Sequence, residues 1–361
     1  MENLELKDFY CKKRVLVTGH TGFKGSWLCR ILQILGAEVY GYALEPQAES
    51  LFNICELKKS VRSVIGDIRN RTGLQNVFYS ARPDIVFHLA AQPLVKEGYL
   101  DPVKTYETNV LGTVNVLECA RVCGVKSVLN VTTDKVYAQS GGTWPYRETD
   151  LLDGFDPYSS SKSCSELITA CYRRSYFDGG GAAVSTVRAG NVIGGGDFAA
   201  DRLLPDCIRA AAANSPAVLR NPDAVRPYQH VLEPLFAYLT VAMRQYGRPE
   251  KSGCYNAGPG ADGCVSNREL ADIFCKCWGE GARWLASGSK GGFHEAEVLR
   301  LDSSKILKEH GWKPNLSVKD AVKMTVSFAK AHCGGKNARA VMTGQIRRYI
   351  KKYVDGGGKI V

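Results

Sequence analysis

The chain has 361 residues, 45% of them apolar and 23% charged, with a formal net charge of +11. That composition suits one large globular domain, or a large and a small one, and no apolar run approaches the ~20 residues of a membrane-spanning helix. Seven cations against one carboxylate between Gly335 and Val361 carry +6 of the excess, a solvated tail rather than a nucleic-acid footprint.

In chain order, the acidic, interrupted start Met1–Asp8 is not expected to be a signal peptide. Arg14-Val-Leu-Val-Thr18 reads as a strand running into Gly19, followed by a helix over 22–35 that Gly36 ends. Further strands are predicted at 38–44, 61–66, 84–90, 127–133 and 182–188, with helical stretches near 70–81 and 102–123 and a helix carrying Lys162. This alternation predicts an α/β fold, a doubly wound parallel sheet of Rossmann type, with ligands at the carboxyl ends of its strands. From Gly190 the rhythm breaks into glycines, prolines and short apolar runs, which predicts a smaller, mixed α/β C-terminal lobe. The expected division is a dinucleotide domain over 1–189, rejoined by roughly 228–258, and a substrate lobe over 190–227 and 259–361. Near the end, Ile346, Tyr349, Ile350 and Tyr353 fall at helical spacing and predict an amphipathic helix packed on the body. Thirteen cysteines without a regular framework are expected to be reduced thiols of a cytoplasmic protein. Cys275-Lys-Cys277 has the wrong spacing for zinc, and no metal is expected.

Thr18-Gly19-His-Thr21-Gly22-Phe23-Lys24-Gly25 opens the first helix straight after the first strand. Glycines there allow a tight turn and close backbone approach, so the helix amides can hold a dinucleotide pyrophosphate. Glu45 is the nearest acid after the second strand, and no arginine follows that strand, which favours NAD over NADP. Asp67 and Ile68 after the third strand are placed to meet the adenine, or Asp67 caps a helix. Tyr158 and Lys162, four apart, share one helical face, and a lysine cation beside a phenol favours the phenolate, a usable base for oxidising an alcohol. Arg202 and Arg226 suit a substrate diphosphate, or surface ion pairs.

These features, with Leu89-Ala90-Ala91, Asn109 and the Tyr158/Lys162 pair, resemble the extended short-chain dehydrogenase/reductase family. Gly19–Trp27, Ala90–Val95, Thr132–Tyr137, Gly190–Asp197, Asp201–Asp206, Arg220–Val231, His294–Ala296 and Leu301–Lys305 sharpen the resemblance to its nucleotide-sugar 4,6-dehydratases. Lysine at position 135, where the dTDP-glucose enzymes carry glutamate, is similar to the enzymes acting on CDP-glucose. The resemblance implies bound NAD, a CDP-glucose substrate, no nucleic-acid or membrane partner, and a homodimer or homotetramer. It implies catalytic roles for Thr133, Asp134, Lys135, Tyr158 and Lys162. It implies cofactor contacts from Gly19, Thr21, Gly22, Phe23, Lys24, Gly25, Asp67, Ile68, Leu89, Ala90, Ala91, Gln92 and Thr132, with Tyr158 and Lys162. Gln92, Asn191, Arg202, Arg226 and His230 are the implied substrate contacts, although a turn-forming role for Asn191 and a structural one for His230 stay open. A 4-epimerase, a dehydratase of another nucleotide sugar, and a non-catalytic nucleotide-sugar-binding scaffold are the alternatives.

Overall fold

The computed structural model describes residues 2–139, 144–178, 180–287 and 298–355. His294–Ala296 lies outside them, as does the side chain of Tyr353. Twelve short strands are formed among the described residues: β1 (Arg14–Thr18), β2 (Glu38–Ala43), β3 (Arg62–Ile65), β4 (Ile85–His88), β5 (Ser127–Thr133), β6 (Ala183–Ala189), β7 (Asn191–Ile193), β8 (Ala217–Leu219), β9 (Val225–His230), β10 (Cys254–Ala257), β11 (Cys264–Ser266) and β12 (Trp284–Ala286). Seven of them make a parallel sheet in the order β10-β6-β5-β4-β1-β2-β3. The order reverses between β1 and β4, which opens a crevice at their carboxyl ends.

The inner strands are buried at nearly every position because both faces of the sheet are covered. Val15 and Val17 point into a core shared with Trp27, Leu28 and Leu235, while Leu16 between them points into the opposite core with Leu74, Phe78 and Val116. That is the two-residue alternation of a strand, with helices on each side. The predicted strands and helices of the first half are all present, with ends within a residue or two. The expected helix over 102–123 is present but widens into a π-turn at Glu107–Leu111. The added residue turns Asn109 inward, where it is buried.

The later segments weave between two cores. The helix Leu232–Gln245 packs on β5 and β6, and β10 extends the large sheet beside β6. A separate cluster of Leu204, Leu219, Tyr228, Phe274, Trp278 and Val322 holds the small lobe, around a three-stranded sheet β11-β9-β7 and the pair β12-β8. The helix Ala338–Asp355, assigned from sequence to the substrate lobe, instead lays Met342, Ile346 and Tyr349 against the large domain's core beside Leu6, Tyr10 and Trp27. Helical spacing announces an apolar stripe, not the surface that will cover it. None of the described helices is long and apolar enough to cross a membrane.

Candidate active site

The glycine turn sits at the crevice. Gly19 has φ +74°, and a Cβ there would lie 2.7 Å from the backbone N of Ala90; one on Gly25 would lie 2.1 Å from the Gly19 carbonyl oxygen. Only glycine permits that approach. The helix Phe23–Ile34 that follows has no side-chain cap and no acid in its first turn. Its amides are thus left for an anion, and the residues fit a dinucleotide pyrophosphate. Thr21 spends its hydroxyl on the Leu44 carbonyl at 3.0 Å, bracing the turn against the chain after β2. Glu45 is exposed nearby. Asp67 accepts from the Arg69 backbone and pairs with its guanidinium at 2.7 Å, while Asn70, not Asp67, caps the next helix. Ile68 is buried against Gly112. Leu89, Ala90 and Ala91 line the crevice edge as half-buried residues, and the Ala90 N–H donates to the Thr18 hydroxyl at 3.3 Å. Gln92 is committed to its own turn: its amide donates to Thr105 at 2.9 Å and accepts from the Leu94 N–H at 2.6 Å.

The reactive cluster is built from the end of β5 and the first turns of the helix Pro157–Tyr172. Asp156 caps that helix on the Ser159 N–H at 3.0 Å, and Pro157 fits its first position, so the helix starts where Tyr158 faces the β5 end. The Thr133 hydroxyl lies close enough to the Tyr158 phenol to lower its pKa, and it donates to Asp134 Oδ1 at 2.9 Å. Phenol, hydroxyl and carboxyl therefore stand in one enclosed row. Asp134 is 1% exposed, and its Oδ2 has no partner among the described residues. Burial raises its pKa, against the pull of Lys135, the Thr133 hydrogen bond, Arg226 and Lys24. A buried carboxyl that tends to keep its proton is suited to act as an acid.

The tyrosine differs from expectation. Burial pushes the Tyr158 phenol up to about 12, with the nearby Thr133 hydroxyl only partly opposing it. Lys162 donates to the Val131 carbonyl at 3.1 Å, and burial draws it down to about 8 while Glu166 holds it up. Sequence spacing conveys the shared face but not the desolvation, which outweighs the favourable charges. Lys24 is likewise drawn to about 8, first by burial and then by Arg202 and Lys162, with Asp134 and Asp197 opposing. Lys135 is half-buried.

The implied substrate contacts divide. Arg226 is buried, and its charge reaches Asp134. Arg202 forms the ion pair left open as its alternative, to Asp197 at 2.9 Å, yet its charge still acts on Tyr158 and Lys24. Asn191 is half-buried at the start of β7, beside Tyr228 of β9. His230 is corrected: it is fully buried, edge-on to Trp27 at 5.9 Å, and its Nδ1 accepts from the Leu232 N–H at 3.3 Å. Packing on both sides removes it from the surfaces open to a ligand. Thr132 is buried and donates to Glu166 Oε1 at 2.5 Å, so its side chain faces the helix rather than the crevice.

Sequence reasoning passed over Cys264 and Arg300. Burial raises the Cys264 thiol's pKa, Arg300 opposes it and Asp134 adds to it, so both charges lie within electrostatic reach of this thiol. Neither belongs to a recognisable spacing; a long-range pairing of Tyr146 with Leu301 brings Arg300 there. Among the described residues, no cluster of three or more His, Cys, Asp or Glu could hold a metal ion.

Comparison with known proteins places this geometry among relatives. The profile of the NAD dependent epimerase/dehydratase family matches residues 15–258. A CDP-glucose 4,6-dehydratase of Salmonella typhimurium is 44% identical over 352 residues, covering 95% of this chain and 98% of the relative. In fold, an epimerase from Methanothermobacter thermautotrophicus superposes with a TM-score of 0.82 at 23% identity, covering 96% and 98% of the two chains. The UDP-glucose 4-epimerase of Thermus thermophilus, solved in complex with NAD, superposes at 0.76 with 27% identity, covering 88% and 98%.

Proposed function

The chain belongs to the NAD-dependent epimerase/dehydratase family, and from that membership we propose that it dehydrates CDP-glucose to CDP-4-dehydro-6-deoxyglucose. The observation that carries the reading is the enclosed row of Tyr158, Thr133 and Asp134, a phenol for oxidation beside a hydroxyl that donates to an acid for elimination. The 44% identity to a CDP-glucose enzyme and the lysine at position 135 support the cytidine nucleotide.

Bound NAD supplies the hydride acceptor at sugar carbon 4 and the donor at carbon 6. The Gly19–Gly25 turn holds its pyrophosphate, and Ala90 and Ala91 border it. Tyr158 takes the 4-hydroxyl proton while Thr133 donates a hydrogen bond to the same oxygen. Arg202 already lowers the phenol's pKa, and Lys162, turned from the Val131 carbonyl toward the phenol, lowers it further. The ketone formed at carbon 4 acidifies the proton on carbon 5. Lys135, or a water it orients, removes that proton, and Asp134 protonates the departing 6-hydroxyl. Arg226, Arg300 and Asn191 hold the substrate diphosphate. Thirteen free thiols support a reducing, cytoplasmic setting. Exposed Leu100, Val103, Leu111 and Leu167 on adjoining helices support pairing into a homodimer or homotetramer.

The test is a substrate panel with purified protein and NAD. A 4-keto product absorbing in alkali is expected from CDP-glucose in preference to dTDP-, GDP- and UDP-glucose. Preference for another base would remove the cytidine assignment; an epimerised, unoxidised product would favour a 4-epimerase. No turnover of any sugar nucleotide would point to a binding scaffold.

A further inference from the structure

Behind the Thr133–Lys135 turn lies a carboxylate surrounded by donors. Glu166 is 3% exposed and sits one helical turn beyond Lys162, on the face shared with Tyr158. It accepts from the Thr132 hydroxyl at 2.5 Å, the Thr186 hydroxyl at 2.6 Å, and Nε and a terminal nitrogen of Arg188, both at 2.9 Å. Arg188, 2% exposed, donates its other terminal nitrogen to the Tyr137 hydroxyl at 2.7 Å and lies over that ring at 5.0 Å. The Tyr137 hydroxyl donates on to Asn256 Oδ1 at 2.7 Å. Thr132 immediately precedes the turn, and Tyr137 follows it by two residues. One buried ion pair thus grips both ends of the Thr133-Asp134-Lys135 segment and, through Glu166, the helix carrying Tyr158 and Lys162.

We propose that the Glu166–Arg188 pair is a positioning element of the reaction. It aligns the turn that serves elimination with the helix that serves oxidation, so that both steps act on one bound sugar. This rests on the roles proposed above for Asp134 and Tyr158. A buried ion pair is seldom the most stabilising filling for a core, since apolar residues of similar volume often do as well. Its use here lies in direction: each donor comes from a strand whose end carries proposed site residues, β5 before Thr133 and β6 before Asn191. Misplacing a reacting group by about 1 Å costs on the order of a hundredfold in rate.

Tyr137→Phe tests this gently, because it keeps the ring and its 4.8 Å stack on Tyr146 and removes only the hydroxyl link. Its kcat for CDP-glucose should fall about tenfold with KM within about twofold, as expected when alignment and not binding is lost. The primary isotope effect with substrate deuterated at carbon 5 should rise, because elimination slows more than oxidation; a lowered melting temperature alone would not move it. Glu166→Gln should lose about a hundredfold in the same sense, and the double variant should be no worse than Glu166→Gln. An unchanged kcat and isotope effect in Tyr137→Phe, or losses that multiply in the double variant, would overturn the proposal. If Asp134→Asn is slow while Tyr137→Phe is normal, only the positioning role fails. If Asp134→Asn turns over normally, the underlying reading fails first.

Discussion

Replacing Asp134 by asparagine separates the two halves of the proposed reaction. The substitution is nearly isosteric: the amide oxygen can still accept from Thr133, and the amide nitrogen takes the place of Oδ2, which has no partner among the described residues. The fold should therefore lose little, about 1 kcal/mol or less. What disappears is the carboxyl's capacity to give up a proton, which burial favours by raising its pKa, and general-acid help of this kind is worth on the order of 10²–10⁴ in rate, or about 3–5 kcal/mol of barrier. A protonated carboxyl and an amide are both uncharged, so the substitution leaves the pull of Lys24, Lys135 and Arg226 on the substrate diphosphate as it was, and KM should hold. In single turnovers with bound NAD, reduced-nicotinamide absorbance follows oxidation and alkaline absorbance follows the dehydrated ketone. Oxidation should slow less than about tenfold and elimination by at least about a hundredfold. Equal slowing of both steps would remove Asp134 from its role as acid.

Other expectations follow from single residues. Glu233 is buried, accepts from the Asn315 and Leu316 N–H groups and the Tyr349 hydroxyl, and is pushed by burial to about 7 from 4.5. Its folded pKa exceeds the unfolded one, so the folded state holds the extra proton between those values, and stability from this group is lost as pH rises through about 7. From pH 6 to pH 8 the loss is ~1.4 kcal/mol, roughly 2 °C in melting temperature relative to Glu233→Gln; a pH-independent difference between the two proteins would refute it. Arg226→Ala should weaken CDP-sugar binding by on the order of tenfold or more, measured by calorimetry, as loss of a charge-assisted contact requires; equal affinity would rule out the diphosphate contact. Gly25→Ala puts a methyl 2.1 Å from the Gly19 carbonyl oxygen, so NAD binding should be lost or the protein should unfold, and normal titration with NAD would contradict the tight turn.

Much of the large domain is legible in the chain because its strands are buried on both faces and carry short apolar runs, such as Val15–Val17 and Ile85–Phe87. Tyr158 and Lys162 are legible from helical spacing alone, and the acid beside them from the segment it resembles. Other features depend on contacts far apart in sequence. Which core receives Ile346 and Tyr349, how Arg300 comes within reach of Cys264, and why His230 is sealed behind Trp27 are set by packing across more than a hundred residues. Desolvation of the Tyr158 phenol is invisible for the same reason, since spacing conveys a neighbour's charge but not the exclusion of water. The π-turn around Asn109 leaves no periodic signal, because it adds one residue to an otherwise regular helix.

The most direct test of a dehydratase that carries hydride from one sugar carbon to another is the fate of deuterium placed at carbon 4 of CDP-glucose. With the wild-type chain the label should be recovered at carbon 6 of the 4-keto product, and Tyr158→Phe should give no labelled product while still binding the nucleotide sugar. Label returned to carbon 4 would mean epimerisation, label lost to solvent would mean that no hydride is carried, and normal transfer by the phenylalanine variant would exclude Tyr158 as the base.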